Sequence, residues 1–147
     1  MTRKSRPTDR RHSLSRFWTC AEARAVVPYV ASIMRSLREQ RLDYFRHHLA
    51  AKRLAGKPGR PRRDTLLAQE EAARAASRAD AKYHQTLAEL NSLGFRCLDS
   101  VAGLAVLYVY HDEFVAEYVY DLFDSQPIRF PDQRERGRGQ GRREHQS

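Results

Sequence analysis

The sequence predicts an α+β fold in which a long antiparallel helical hairpin packs on a small antiparallel β-sheet. Apolar residues recur at helical spacing through the first two thirds of the chain, and the Gly- and Pro-rich segment 56–61 interrupts them. β-branched and aromatic residues dominate after residue 94, and both ends are nearly devoid of apolar side chains. These observations predict one α+β domain over residues 17–128, with the hairpin at 19–94 and the β-rich segment at 95–128, between a disordered basic arm at 1–16 and a disordered Arg/Gly-rich tail at 129–147.

The first helix is predicted to begin at a capping box. Thr19 is followed three residues later by Glu22, so the threonine hydroxyl can accept the backbone N–H of Glu22 while the carboxylate reaches back to the N–H of Thr19. Pro28 removes one helical hydrogen bond and predicts a kink. The helix is predicted to run to about Leu54, and its apolar stripe consists of Val27, Val30, Met34, Leu37, Tyr44 and Phe45.

The second helix is predicted to follow the hairpin tip, antiparallel to the first, as in a short coiled coil. Asp64 is predicted to be its N-cap, and Gly94 is predicted to end it as the left-handed residue of the C-cap. The alanines of its stripe allow the two helices to approach closely. That stripe consists of Gln69, Ala73, Ala76, Asp80, Tyr83, Leu87 and Leu90.

The segment after Gly94 is predicted to form strands. Residues 95–98 fit a short strand, and residues 104–110 and 114–123 fit a β-hairpin about the turn 111–113. A helix through 104–123 is the alternative, but the density of β-branched and aromatic residues favours strands. The sheet then provides a surface on which the helical hairpin can pack.

Charge is distributed unevenly over this basic chain, whose formal net charge is +9. Residues 101–127 carry five acidic side chains and no Lys or Arg, whereas every other part of the chain is net positive. No apolar run reaches the roughly 20 residues of a membrane span, and the first residues lack the apolar core of a secretory signal. Cys20 and Cys97 define no disulfide framework, so we predict a cytoplasmic protein.

Several short motifs resemble those of a family of uncharacterised bacterial proteins, domain-of-unknown-function family 2203. They are the run from Thr19 through Glu22 to Pro28, Leu93-Gly94, Gly103-Leu104, and Tyr118-Val119-Tyr120-Asp121 followed by Gln126-Pro127-Ile128. The resemblance covers about residues 17–128 and supports the α+β fold. Two features depart from the family pattern: the segment after Gly103-Leu104 is shorter, and the histidine of its Tyr-Trp-His-Asp motif is replaced by Tyr120. The family implies no reaction.

Polar residues within the two apolar stripes are the first candidate site. Arg41 and His48 interrupt the stripe of the first helix, and Asp80 interrupts that of the second. Because positions whose numbers sum to about 118 face each other across the hairpin, Arg41 is predicted to lie within one turn of Asp80. A buried guanidinium needs a partner, so one interpretation is an ion pair that sets the helix register. The other is a polar site in which Arg41 and His48 bind a small anion.

A set of aromatic residues is predicted to share one face of the sheet, namely Tyr108, Tyr110, Phe114, Tyr118 and Tyr120. Such residues stabilise sheets through cross-strand pairs and fill the core beneath packed helices. The alternative is a platform on which bases stack. Core packing is the favoured interpretation.

Basic residues at the hairpin tip and in the tail are the candidate contacts for a polyanion. Arg/Gly-rich segments can follow a nucleic-acid backbone without sequence preference; the alternative interpretation is a solvated surface. The candidate contacts are Lys52, Arg53, Lys57, Arg60, Arg62, Arg63, Arg136, Arg138, Arg142 and Arg143.

No catalytic, metal-binding or cofactor-binding motif is recognisable. The acidic residues at 111–121 lack a metal-ligand spacing, and phosphate loops, dinucleotide fingerprints and Cys-x-x-Cys pairs are missing from the sequence. We therefore predict no cofactor. Two hypotheses for function follow. The first is a non-enzymatic interaction module whose partner is a protein or an RNA-containing assembly, with weak nucleic-acid binding through the basic ends. The second is an enzyme or small-anion-binding protein with a polar site near Arg41, His48 and Asp80.

Overall fold

The fold is α+β, as predicted: two long helices pack on a small four-stranded sheet. The computed structural model describes residues 16–131, and its helices are α1 (Cys20–Ala55) and α2 (Arg63–Ser92). Both predicted helices are confirmed to within a few residues, and α1 continues through Pro28 as one helix. The predicted basic arm and Arg/Gly-rich tail lie almost entirely outside the described residues.

The capping box at the start of α1 is present as predicted. The Thr19 hydroxyl accepts the backbone N–H of Glu22 at 3.2 Å, and the Glu22 carboxylate accepts the N–H of Thr19 at 3.0 Å. Each bond satisfies a backbone donor that the first helical turn leaves without an intrahelical partner. The chain just before the cap is also ordered, since the Arg16 guanidinium stacks 4.0 Å from the Trp18 ring.

For α2, the predicted N-cap is wrong and the predicted C-terminal end is confirmed. Asp64 is not the N-cap; Arg62 occupies that position without a side-chain hydrogen bond, and Asp64 lies in the first turn, where its charge still favours the helix N-terminus. At the other end Gly94 has φ +82°, the left-handed conformation that was predicted. A Cβ there would lie 2.6 Å from the backbone nitrogen of Arg16, so the close approach of the incoming chain also requires glycine.

The sheet is mixed because of a short strand that the sequence did not predict. Strand β3 (Leu104–Tyr110) pairs antiparallel with β2 (Arg96–Asp99) and with β4 (Val115–Asp121), which confirms the predicted β-hairpin. Strand β1 (Phe17–Trp18), directly before the cap of α1, pairs parallel with β3. Two residues carry too little apolar periodicity to be distinguished from a loop in sequence.

The hydrophobic core lies between the inner face of the sheet and the half of the helical hairpin that is farther from its tip. Ala105, Leu107 and Val109 of β3 pack with buried residues of both helices. The last buried residue of α1 is Leu37, and the first buried residue of α2 is Ala76. The helices therefore extend beyond the core as a two-stranded arm, here called the arm (residues 38–75). Its first helical part, residues 38–55, is about 27 Å long.

The predicted single aromatic face is wrong. The four residues between β3 and β4 place Tyr110 opposite Val115, Tyr108 opposite Glu117 and Leu107 opposite Tyr118. Directly opposed residues point to the same face, so even-numbered residues of β3 share a face with odd-numbered residues of β4. Tyr118 and Tyr120 consequently face the core, while Tyr108 and Tyr110 face away from the helices.

Candidate functional site

The polar site of the hairpin is a partly exposed cluster around an ion pair. Arg41 Nη1 lies 3.7 Å from Asp80 Oδ1, so the predicted proximity of the two residues is observed. His84, one turn along α2, places Nε2 3.4 Å from the same carboxylate oxygen. The arginine side chain is 31% exposed and the aspartate side chain 41% exposed, so the predicted burial of the guanidinium is wrong. On α1 the last buried residue, Leu37, lies one turn before Arg41, whereas Ala79 and Tyr83 beside Asp80 are still buried.

Aromatic rings surround the guanidinium of Arg41. Its Cζ atom lies 4.6 Å from the centre of the Tyr83 ring and 5.4 Å from that of Tyr44, distances at which a cation is attracted to the ring face. His48 stacks on Tyr44, with 5.3 Å between ring centres. The cation thus has a carboxylate partner and aromatic neighbours within the protein, which is the arrangement of a structural contact between helices.

The tip of the arm is a dense, exposed cationic surface. Lys57, Arg60, Arg62 and Arg63 are exposed, as are Lys52 and Arg53 in the last turn of α1. An open recess of about 420 Å³ lies at the turn, and Lys57, Arg60 and Arg62 line it. Among residues 16–131, ion pairs form elsewhere and none involves these six side chains. Their charge is available to an anion in solution.

The four tail residues predicted to contact a polyanion, Arg136, Arg138, Arg142 and Arg143, lie outside the described residues. Their role therefore stays a prediction. Of the predicted set, the described residues comprise the six tip members, which the turn between α1 and α2 holds at one end of the hairpin.

The outer face of the sheet is a second exposed surface. It is defined here as Phe17, Arg96, Val106, Tyr108, Tyr110, Val115, Glu117 and Val119, all of which lie on the side opposite the helices according to the strand register; of these, Val106 is buried. Phe17, Tyr110, Val115 and Val119 are each more than 40% exposed. Sequence reasoning missed this surface because it placed the tyrosines of β3 and β4 together on one face.

Acidic residues border the outer sheet face and do not form a metal site. Asp112 and Glu113 occupy the turn between β3 and β4, and Glu117 lies on the face itself. Asp124 pairs with Arg129, with Nη2 3.0 Å from Oδ2, and the backbone N–H of Gln126, followed by this contact, lowers the pKa of the Asp124 carboxyl. Within residues 16–131, no group of three or more His, Cys, Asp and Glu side chains could hold a metal ion.

The remaining candidate residues belong to the core. His111 is buried and its Nε2 lies 3.0 Å from the Tyr118 hydroxyl. Tyr120 is fully buried and packs edge-on against Phe95. Cys97 is half-buried, and its desolvation, followed by the charge of Asp99, raises the pKa of the thiol and disfavours the reactive thiolate.

Comparison with models of known protein families, with curated proteins and with solved structures finds no match for this chain. The resemblance to domain-of-unknown-function family 2203 therefore stays a prediction. Neither helix of the described part of the chain is both long and apolar enough to cross a membrane.

Proposed function

We propose that this protein is a non-enzymatic interaction module that binds polyanions, such as single-stranded RNA within a ribonucleoprotein assembly, through the basic tip of its helical arm and its basic ends. The observation that supports this proposal most directly is the tip itself. Six Lys and Arg side chains lie between residues 52 and 63, a segment with no acidic residue.

The position of the tip suits an extended anion. The arm holds the cations about 27 Å beyond the last core contacts of α1, away from the acidic β-rich segment. Phosphates that approach the tip meet little repulsion from the rest of the domain. Arginine guanidinium groups also bind phosphate oxygens with two parallel hydrogen bonds, which favours a phosphate backbone over a simple counterion.

Such binding should be weak, salt-sensitive and nearly independent of base sequence. Cationic side chains on a short turn release condensed counterions from the nucleic acid but reach no defined set of base edges. The basic ends, residues 1–16 and 129–147, add further cations of the same kind. We propose the cytoplasm as the compartment, in keeping with two free cysteines in the described chain.

The first prediction tests the tip. Arg60, Arg62 and Arg63 are changed to Gln, and binding of a labelled single-stranded RNA is followed by fluorescence anisotropy over a salt series. Because each lost phosphate contact reduces the slope of log K against log salt by about 0.7, we expect both a lower affinity and a slope smaller by about 2. Trimming residues 1–16 and 129–147 should lower the affinity further.

The matched control removes the same charge elsewhere, with Arg46, Arg78 and Lys82 changed to Gln. These residues are exposed on the helices outside the tip. Equal losses in the tip variant and the control would show that net charge alone matters, and salt-insensitive binding would contradict the proposal. A pull-down from native lysate with and without nuclease then separates an RNA-containing partner from a protein partner.

The alternative of an enzyme or small-anion-binding site near Arg41 gains no support from the geometry. Asp80 and three aromatic rings already surround the guanidinium, so an incoming anion would compete with a carboxylate that is covalently held in place.

A further inference from the structure

The outer sheet face leaves several large apolar side chains in water. Tyr110 is 53% exposed, Val119 51% and Phe17 46%. They lie on three adjacent strands, because Phe17 pairs with Tyr108 across β1 and β3 and Val119 pairs with Val106 across β3 and β4. Contiguous apolar surfaces of this kind on a folded domain mark sites where another protein surface packs.

The arm carries a second apolar surface, on its sheet side. Arg38, Leu42, Phe45 and Leu49 follow one another at spacings of three or four residues and so form one stripe along α1. The lower end of this stripe touches the sheet region, since Arg38 Nε donates to the Val101 carbonyl at 3.0 Å and its guanidinium lies over the Phe123 ring. Further along, Phe45 and Leu49 are 43% and 49% exposed.

The two surfaces have opposite charges at their borders. Five acidic residues and no Lys or Arg lie in residues 101–127, and three of the acids, Asp112, Glu113 and Glu117, lie on or beside the outer sheet face. The stripe of the arm leads instead to the tip, which has six basic residues and no acid. The chain therefore presents one apolar stripe that leads to a cationic tip and an outer sheet face that is acidic at its β3–β4 turn, while the single cation of that face, Arg96, lies opposite Val106, away from the turn.

We propose that a second copy of this chain covers both surfaces in a two-fold antiparallel homodimer. The arm of each copy lies across the outer sheet face of the other, with the Phe45 and Leu49 stripe against the apolar strands and the tip beside the partner's acidic turn. This proposal goes beyond polyanion binding and does not depend on it.

The two-fold arrangement follows from where the surfaces lie. The stripe and the sheet occupy the same side of the hairpin, as the contacts of Arg38 require. A 180° rotation about an axis perpendicular to the arm and parallel to the sheet reverses the second copy and turns its stripe and sheet towards the first. Each arm then lies against the outer sheet face of the other copy. The interface is then closed and self-complementary, so both contacts form together and no open filament results. A parallel arrangement would oppose tip to tip and acid to acid, and like charges in register are strongly unfavourable.

The second prediction is a charge-swap experiment on nuclease-treated full-length protein in nucleic-acid-free buffer. The tip variant has Arg60, Arg62 and Arg63 changed to Glu, and the sheet variant has Asp112, Glu113 and Glu117 changed to Lys. Sedimentation equilibrium at low salt measures the dimer dissociation constant, with 17.1 kDa as the monomer mass. We expect each variant alone to raise that constant by at least about tenfold, since like charges then meet in both contacts.

Mixing the two variants provides the decisive comparison. In the mixed pair a reversed tip meets a reversed sheet in one contact and an unchanged tip meets an unchanged sheet in the other, so both contacts have complementary charges, as they do in the chain that combines all six substitutions. We expect the six-fold variant to dimerise within about threefold of the unchanged protein. Changing Arg78 and Lys82, which are exposed on α2 outside the arm, to Glu serves as the control and should leave dimerisation unchanged.

Two outcomes would overturn the proposal. One is a monomer at every concentration in low salt; the other is a dimer that the two single-surface variants leave intact. Neither outcome bears on the tip as an RNA-binding surface, because no nucleic acid is present. Conversely, a failure of the unchanged protein to bind RNA would leave the present proposal standing, because dimerisation is measured without nucleic acid.

Discussion

Arg41 combines two kinds of contact that contribute to stability in different ways. Its ion pair with Asp80 is partly exposed, so the solvent screens the attraction between the charges. Its stem and guanidinium also cover the rings of Tyr44, Phe45 and Tyr83, which is a packing contribution that survives in salt. The residue therefore holds the helices together mainly as a cover for aromatic rings.

The third prediction separates these contributions with a double-mutant cycle of Arg41→Ala and Asp80→Ala. We expect Arg41→Ala to destabilise the protein more than Asp80→Ala, because only the arginine covers aromatic rings. The double variant should lose less than the sum of the single losses, by about 0.5 kcal/mol, as is typical of an exposed ion pair. Chemical denaturation measures the free energies of unfolding. Strict additivity would show that the observed proximity carries no interaction.

The pairing of Arg41 with Asp80 was predictable from sequence, but its exposure was not. The position of the tip determines which residues of the two antiparallel helices lie at the same level. Arg41 and Asp80, which are oppositely charged and interrupt the two apolar stripes, can therefore be predicted to face each other. The depth of the core depends on where the sheet ends, and helical periodicity carries no information on that boundary. The stripe continues past Leu37 without change of pattern, although the sheet no longer covers it.

At the scale of elements, the start of α1 is the most strongly specified feature. The capping box closes the first helical turn while β1 fixes the preceding two residues to the sheet. The helix thus begins at one residue, and its orientation relative to the sheet is set there.

The fourth prediction concerns this cap. Thr19→Ala removes the acceptor for the N–H of Glu22 and should lower the free energy of unfolding by about 1 kcal/mol at neutral pH. The variant and the unchanged protein are compared by thermal and urea denaturation, with Thr86→Ala as the control because Thr86 bonds only to a carbonyl within its own helix. An unchanged midpoint for Thr19→Ala would mean that β1 alone defines the helix start.

The same cap should produce a dependence of stability on pH. The N–H of Thr19 bonds to the Glu22 carboxylate and lowers the pKa of that group below its ordinary value of 4.5. A lowered pKa in the folded state means that the stabilisation is present above the unfolded-state value and is lost as the pH falls through the folded-state value. The loss in acid should therefore be smaller in Glu22→Gln, which retains a side-chain acceptor that does not titrate.

The strands show where prediction from sequence succeeds and where it fails. Residue composition was enough to identify β3 and β4 and to reject a helix. The face on which each tyrosine lies depends on the length of the connecting turn, and a change of one residue reverses it. Here the hydrogen bonds between His111 and Phe114 close a turn one residue longer than the predicted 111–113 turn. That difference moves Tyr108 and Tyr110 onto the outer sheet face.

At the scale of the whole molecule, the sequence predicts that basic and acidic residues lie in separate segments, but it does not predict how far apart the fold places them. The counts for segments 52–63 and 101–127 follow directly from composition. Whether these segments meet, or lie at opposite ends of the molecule, depends on how far the helices extend beyond the core. RNA binding and dimer formation, the two proposed roles of the tip, both depend on that distance. Because they use the same residues of the tip, RNA and a second copy of the chain should compete for it.

The fifth prediction concerns the order of folding. Trp18 is the only tryptophan, and it is buried by contacts with segments distant in sequence: its indole N–H donates to the Leu93 carbonyl, and its strand pairs with Val109. The helical hairpin is built from contacts between neighbouring segments and should form early. During refolding, Trp18 fluorescence should therefore lag the far-ultraviolet circular dichroism signal of the helices. Coincident traces would indicate a single cooperative step.

The parallel pairing of β1 has a further consequence during synthesis of the chain. Phe17 and Trp18 are among the earliest described residues to leave the ribosome, yet their partner strand β3 follows both helices. At ordinary elongation rates the interval between Trp18 and Val109 lasts roughly 5–20 s. Throughout that interval the two aromatic residues lack their partner strand, and once α2 is complete at Ser92 the inner side of the hairpin is uncovered as well. The nascent chain should accordingly present a binding site for chaperones that closes only when the last strands are translated.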